Sequence, residues 1–363
     1  MCALLDKKQH IAIVGPSATY ISGSLLRPLN IWYSLKSLGN VQVHYISIKS
    51  IAQVLLYVRS LRVSNIIIVS GHNPWVSAFL VLLGRLLQKI VFVDIHGSAW
   101  YEASITGSKI YWRFIFFVSE LILYRFSQWL ICASQFLHSF LNKYFSVDSS
   151  KIFIIENAIT PIFEKVYGAL SKYKKEKLKR IVERFTKLNI GTRKILLSPL
   201  PGVFIANIKA LHELEKLKIK DFLVIVTGTK CSSSNNISCM EYLPYSLYVA
   251  ILLISDGTLL PYPPDAVCGG SRNKVLETLY CGVPLITTHI GVLHTNLKPY
   301  KHYIPLKDPE WINIVKNSKV ISEIVSNAKK KAYTYSFRIF KFKLFRALLK
   351  ALRSLRTSTT TTL

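Results

Sequence analysis

The sequence predicts an α/β protein of two domains, each a parallel sheet flanked by helices, and three observations carry that prediction. At 363 residues the chain is too long for one ordinary domain and suits two of similar size. Short β-branched runs alternate with longer helix-forming stretches on both sides of its middle, the rhythm of βαβ units. Between the two series, residues 161–193 turn Lys/Glu-rich (SKYKKEKLKRIVERF) and poor in core-building side chains, as an interdomain connection would. Two Rossmann-like halves are expected.

In the first half, strands are expected at residues 11–14, 41–46, 65–70, 90–94, 129–133 and 151–155. They are nearly continuously apolar, which fits strands covered by helices on both faces. In such a sheet, ligands gather at the carboxyl ends of the strands. The second half repeats the pattern at 194–198, 222–228, 237–243, 258–262 and 284–287, and no repeat of solenoid length occurs. The expected organisation is a domain at 1–160, a linker at 161–193, a second domain at 194–330, a basic amphipathic helix at 331–357 and a polar, disordered tail at 358–363. In that last helix Phe337, Phe340, Leu344, Leu348 and Leu355 share one face, and Lys343, Arg346, Lys350 and Arg353 take the other. The apolar face can be buried in the protein or can rest on a membrane.

A formal charge of +28 and a pI near 9.9 imply an anionic partner. Yet 50% hydrophobic residues and a mean hydropathy of +0.31 are high for a protein that only binds nucleic acid, and no nucleic-acid reading motif is present. Together they favour an enzyme working peripherally at a membrane surface. The most apolar stretches, 75–93 and 112–132, are interrupted by Arg85 and Lys89 and by Arg113, Glu120 and Arg125, so neither supplies the roughly 20 apolar residues of a bilayer span. Residues 1–9 hold Asp6, Lys7 and Lys8 and run straight into the first strand, unlike a secretory leader. The expected location is therefore the cytoplasm, at the inner face of the cell membrane. Cys2, Cys132, Cys231, Cys239, Cys268 and Cys281 lack paired metal-ligand spacing and are expected to be unpaired thiols. No Asp-x-Asp element is present to hold a divalent ion against a diphosphate, so no metal is expected.

Residues 269–288, GGSRNKVLETLYCGVPLITT, join a small-residue turn to a short helix. Gly269, Gly270 and Ser271 let backbone amides approach a ligand, and the helix N-terminus adds partial positive charge. Arg272 and Lys274 add full charges, while Glu277 sits one turn deeper on the Lys274 face. The layout suits a nucleotide diphosphate whose ribose diol needs an acceptor. The structural alternative makes Gly282 a helix cap, Pro284 a stop signal and Glu277 a solvated helix residue.

Gly269-Gly270-Ser271, the run Lys274 to Glu277 and the following Cys-Gly-Val-Pro-Leu-Ile resemble the donor-binding motif of GT-B glycosyltransferases of the glycogen-synthase-like family four. The resemblance implies two Rossmann-like domains facing a cleft, a final helix crossing back to the N-terminal domain, and Glu277 on the ribose of a sugar nucleotide. Further landmarks follow in order. Gly15-Pro16-Ser17 and Ser22-Gly23-Ser24 occupy the loop after the first strand, where the family sets a glycine-rich turn against the donor phosphates. This loop is no GxGxxG, which counts against a nicotinamide-dependent enzyme. Asp94-Ile95-His96-Gly97 resembles the family's element whose histidine meets the donor sugar near the reacting carbon, making His96 the catalytic candidate and Asp94 and His72 lesser ones. Glu120 and Ser134 are read as structural, and Asn157 as turn or hinge chemistry. Residues 332–337, AYTYSF, resemble the family's closing Tyr-Ser-Trp element.

Two departures stand out. The family often carries an Arg and a Lys after the first strand of the second domain to bind the diphosphate, whereas residues 198–207 read SPLPGVFIAN, with Ala206 at the lysine position. Arg272 and Lys274 are the expected substitutes. The family's glutamate eight positions before Glu277 is Gly269 here, and Asp265 is the stand-in carboxylate from the same loop. In a retaining transfer a donor phosphate oxygen can take the acceptor's proton, so activity does not require that glutamate.

The expected function is transfer of a sugar from a nucleotide-diphosphate donor to an acceptor hydroxyl, without metal or cofactor, and retaining by resemblance. Apolar, Arg/Lys-fringed helices around 82–89 and 112–129 point to a polyprenyl- or otherwise lipid-linked acceptor reached from the bilayer surface. The rivals are a nucleotide-sugar epimerase of the same fold and a non-catalytic basic scaffold or nucleic-acid binder, the last resting on charge alone.

Overall fold

Two series of βα units build two six-stranded, all-parallel sheets, each in its own unit: Met1–Ala158 with Phe337–Leu363, and Ile159–Ser336. The computed structural model describes residues 9–16, 23–39, 41–48, 50–70, 73–202, 204–217, 219–231 and 236–360, with side chains for all but 23, 24 and 354–360.

The first unit runs β1 (Gln9–Gly15), α1 (Gly23–Lys36), β2 (Val41–Ser47), α2 (Ile51–Val63), β3 (Ile66–Ser70), α3 (Pro74–Leu86), β4 (Ile90–Ile95), α4 (Ala99–Ile105), α5 (Ile110–Phe126), β5 (Trp129–Cys132), α6 (Gln135–Phe145) and β6 (Ile152–Ile154). The strand order is β2-β1-β3-β4-β5-β6. Alternate residues of each strand enter opposite cores. Val91 and Val93 join Val54, Val81 and Leu137 from α2, α3 and α6, whereas Phe92, Ile66 and Ile68 join Ile31 and Leu35 from α1. Helix starts are fixed locally: Asn73, Ser98 and Ser134 accept from Val76, Tyr101 and Leu137 amides, and Pro74 occupies the first helical position.

The second unit runs α7 (Pro161–Leu170), α8 (Lys175–Thr186), β7 (Lys194–Pro199), α9 (Ile205–Lys216), β8 (Phe222–Thr227), β9 (Ile237–Met240), α10 (Tyr245–Ile254), β10 (Gly257–Leu260), α11 (Asn273–Cys281), β11 (Leu285–Thr287), β12 (Ile304–Pro305), α12 (Trp311–Lys316) and α13 (Ser318–Ala332). Its order is β12-β11-β10-β7-β8-β9. Segment 161–193, expected as a linker, contributes α7 and α8 to this unit. The lysines and glutamates of α8 occupy its outer side, while Leu178 and Val182, one turn apart, join Phe163 of α7 in the core. The chain then returns to the first unit as α14 (Phe337–Thr360). Phe340, Leu344 and Leu348 pack with Ile31 and Leu35 of α1, so the apolar face of α14 is covered by protein. Phe337 is only partly buried, and the Leu355 side chain lies outside the described residues. The expected disordered tail is helical through Thr360, and 361–363 lie outside the described residues.

One cysteine expectation is corrected. Cys231 and Cys239 form a disulfide, because the chain turns after β8 at Gly228 (φ 90°) and β9 pairs beside β8, leaving the two Cα atoms 5.7 Å apart. Cys132 and Cys281 are free thiols, and Cys2 lies outside the described residues. Among the described residues no helix is long and apolar enough to cross a membrane.

Candidate active site

In the second sheet the chain starts at β7, builds outward through β8 and β9, then returns to the other side of β7 with β10. The carboxyl ends of β7 and β10 therefore flank a topological switch point, where flanking loops diverge and leave room for a ligand. Pro199 ends β7, and Tyr262 follows β10 by two residues.

Lys274, in the first turn of α11, reaches this point. Its Nζ donates to the Pro199 carbonyl, to Asn207 Oδ1 at 3.2 Å and to the Tyr262 hydroxyl at 3.0 Å. Tyr262 in turn donates to Asn207 Oδ1 at 2.6 Å, and Asn207 Nδ2 donates to the Pro201 carbonyl at 2.9 Å. Burial, helped by the Arg272 charge and opposed by Glu277, depresses the Lys274 ammonium to about 7. Burial also raises the Tyr262 phenol to about 12. Arg272 precedes α11 and lays its guanidinium 3.6 Å from the centre of the Tyr262 ring. Its Nη2 donates to the Ala266 carbonyl at 2.6 Å, and its buried Nε has no hydrogen-bond partner among the described residues. Two cations thus sit beside the start of α11, where Arg272 at the N-cap position makes no side-chain cap of its own.

Gly269, Gly270 and Ser271 form the buried turn before α11. The turn is braced by Cys268 Sγ donating to the Gly270 carbonyl at 3.0 Å and by His294 Nε2 at 2.7 Å from the Cys268 carbonyl oxygen. His294 sits at φ 68°, a left-handed conformation uncommon outside glycine. Gly282 takes the same conformation (φ 69°) as the cap of α11, so that part of the motif has the structural role available to it in the sequence.

Glu277 is not the solvated helix residue of the structural alternative. It is 6% exposed, and its oxygens accept from the hydroxyls of Tyr245 at 2.6 Å and Tyr248 at 2.9 Å, both on α10. Burial raises its carboxyl against the lowering effect of those hydroxyls and Lys274. Asp265 is exposed and ion-paired with Lys209 of α9, apart from the Lys274 cluster's hydrogen bonds.

In the first unit the switch point lies between β1 and β3. Asp94 near the end of β4 is closed to solvent; its Oδ1 accepts from Arg27 Nε at 2.7 Å and its Oδ2 from Ser70 Oγ at 2.8 Å. His96 Nε2 lies 3.1 Å from Asp94 Oδ2 and 3.0 Å from Ser70 Oγ, which turns that ring nitrogen inward. Burial alone raises the Asp94 carboxyl, but Arg27, His96 and Ser70 outweigh it and bring it down to about 2. Asp94 is therefore a positioning group for His96. Glu120 anchors the following loop, accepting from Ser98 Oγ at 2.7 Å and the Ala99 amide at 2.6 Å, and burial raises it to about 7 despite those bonds. Arg27 also donates to Asn157 Oδ1 at 3.1 Å.

Gly15 ends β1 with no room for a side chain, since a Cβ there would meet the Tyr45 hydroxyl at 2.5 Å. Gly23 opens α1, while His72 and the loop 17–22 lie outside the described residues. Among the described residues no three His, Cys, Asp or Glu side chains gather as a metal site would require.

Sequence reasoning missed Tyr262, Asn207, Arg27 and Ser70. Tyr262 and Ser70 had a usable signal, since both stand at the carboxyl end of an expected strand. Tyr245 and Tyr248 had none, because their pairing with Glu277 crosses 32 and 29 positions of sequence.

No model of a known protein family matches the chain, and no curated protein does. Solved structures do. A glycosyltransferase from Rickettsia africae is 15% identical, with 95% of this chain and 99% of that one covered at a TM-score of 0.65. Anabaena Alr3699/HepE in complex with UDP and glucose is 11% identical, with 93% and 98% covered at 0.69. Sucrose-phosphate synthase from Thermosynechococcus elongatus is 12% identical, with 94% and 100% covered at 0.67. The fold is GT-B. At these identities the likeness establishes architecture, and within the GT-B fold the Lys274 cluster and the His96 loop are two places, among the described residues, where chemistry-bearing side chains meet strand ends.

Proposed function

We propose that the protein is a glycosyltransferase whose second unit binds a nucleotide-diphosphate sugar and whose first unit holds the acceptor hydroxyl and contributes His96. The observation that carries this reading is the placement of Lys274 and Arg272 at the switch point of the second sheet, beside the start of α11. A diphosphate leaving group gains charge as the glycosidic bond breaks, and two cations, the helix dipole and backbone amides of the turn Gly269, Gly270 and Ser271 meet that charge without a divalent ion. HepE has been solved with UDP and with UDP-glucose, which supports a sugar nucleotide as the donor class. His96, held by Asp94, is the catalytic candidate, and Gly15 and Gly23 remain donor-binding candidates. Glu277 takes the ribose through the acceptor capacity its two oxygens keep beside the Tyr245 and Tyr248 hydroxyls.

The acceptor is lipid-linked, transfer retains configuration, and the protein works peripherally on the inner face of the cell membrane. The charge of +28 supports the membrane part of this reading. The Cys231–Cys239 bond weighs against a reducing compartment. Alkylation in intact cells separates the two: labelled Cys231 and Cys239 put the protein in the cytoplasm, and protected ones put it outside.

The test is thermal unfolding against UDP-, GDP- and ADP-sugars, followed by transfer of labelled sugar to membrane lipids. Saturation at about 100 times Kd adds ~2.7 kcal/mol of stability. No stabilisation by any sugar nucleotide sinks the proposal, and isomerised donor formed without acceptor makes the protein an epimerase.

A further inference from the structure

We propose that the outer face of α2, α3 and α5 docks onto an anionic lipid bilayer. The proposal rests on the membrane-surface part of the function above and adds which surface touches the lipid. The three helices link β2 to β3, β3 to β4 and β4 to β5, and their inner residues share one core on one face of the sheet. On α3, Val76, Leu80, Val81 and Gly84 are buried and Trp75 and Phe79 pack against the same core, which leaves Leu82 half-buried and Leu86 exposed on the outer side. The neighbours extend this apolar surface: Leu55 and Leu56 of α2 are 67% and 79% exposed, Ile110 and Phe114 of α5 are 82% and 67%, and Leu86 is 81%. Leu55, Leu56, Leu86, Ile110 and Phe114 are large apolar side chains left exposed on neighbouring helices, and exposed apolar surface of this kind marks an interaction surface.

Charge selects the occupant. Between residues 51 and 128 the only acids are Asp94 and Glu120, both buried and engaged, and Glu102. Arg59, Arg62, Arg85, Lys109, Arg113 and Arg125 border the same surface, and none of them forms an ion pair among the described residues. Arg85 and Arg125 also line, with Phe126 and Lys151, a cavity of about 330 Å³, which has room for a lipid phosphate. A second copy of the chain packed face to face would set arginine against arginine. Nucleic acid would leave the leucines and isoleucine without an apolar partner. An anionic bilayer satisfies both components, with apolar side chains entering the headgroup boundary and the basic fringe meeting phosphate. The basic helix α14 is the competing surface, but its apolar face already packs on α1.

The experiment is flotation of the full chain with vesicles of phosphatidylcholine alone or mixed with phosphatidylglycerol. One variant carries Leu55→Ser, Leu56→Ser, Ile110→Ser and Phe114→Ser, and another carries Arg59→Gln, Arg62→Gln and Lys109→Gln. All seven side chains are exposed, and unchanged thermal unfolding checks that each variant folds. The wild type is expected to float with the anionic vesicles and to bind neutral ones at least about tenfold more weakly. Each variant is expected to lose about tenfold or more of that binding while keeping its response to sugar nucleotides. Wild-type binding that survives both variants overturns the assigned face and leaves the membrane reading standing. Failure of the wild type to bind either vesicle overturns both. A wild-type dimer that the serine variant dissociates, with no vesicle binding, replaces the bilayer with a second copy.

Discussion

The Lys274 ammonium lies 3.2 Å from the Asn207 amide oxygen, joining the first turn of α11 to the first turn of α9 across 67 positions of sequence. Asn207 follows Ala206, where the family pattern has a lysine, so the structure brings a cation to the end of β7 from a different helix. The charge is absent from the expected place in the sequence and present nearby in space.

Removing that charge while keeping the side chain's length tests its role. Lys274→Met is expected to weaken UDP binding by about ten- to a hundredfold, the ~1.5–3 kcal/mol of a hydrogen bond to a charged group. Calorimetric titration measures it. Stability should hold or rise, because the variant no longer buries a charge.

The depressed Lys274 ammonium predicts a pH signature. Its folded value of about 7 lies below the unfolded one of 10.5, so its stability contribution is present above 10.5 and lost as pH falls through 7. Donor binding runs the opposite way, since a phosphate favours the charged form. Affinity for UDP is expected to be flat below pH 7 and to decline above it, with proton uptake visible as a buffer-dependent binding enthalpy. Lys274→Met should abolish that uptake.

Glu277 and its tyrosines can be separated. Glu277→Ala leaves two buried hydroxyls without their acceptor and should cost about 1–3 kcal/mol for each. Tyr245→Phe frees one carboxylate oxygen instead. If Glu277 takes the ribose, Tyr245→Phe keeps or strengthens sugar-nucleotide binding while Glu277→Gln weakens it. Equal binding by both variants removes the ribose role.

Arg27 and Asp94 form a buried ion pair, so Arg27→Ala is expected to destabilise the first unit by about 3–5 kcal/mol, read from urea unfolding. Asp94, depressed to about 2, contributes stability that is present above 3.8 and lost as pH falls through 2. Glu120, raised to about 7, has the opposite sign: its contribution is present below 4.5 and is lost as pH rises through 7. Glu120→Gln should therefore flatten the urea midpoint between pH 5 and 8.

The strands were legible because buried parallel strands leave continuous apolar runs, and eleven of those runs lie within a few residues of observed strands. Ile304–Pro305 was not, since two residues carry no period. The α8 segment misled because its charge count hid Leu178 and Val182 on one side. At the candidate site, Lys274 and Arg272 were singled out from their place within and before α11. Their partners were not, because Asn207, Pro199 and Tyr262 reach them only through the winding of the sheet. The Cys231–Cys239 bond was invisible for the same reason, as an eight-residue separation becomes a close approach only after β8 and β9 pair.

The return of α14 to the first unit has a consequence for how the protein is made. The nascent chain must emerge from the ribosome with Ile31 and Leu35 lacking their last partners until all of 159–336 has been translated, on the order of ten seconds or more at about 5–20 residues per second. A message cut short before Phe337 leaves that face of the first sheet covered without α14, with Ile31 and Leu35 of α1 short of partners for good, a substrate for chaperones and proteases.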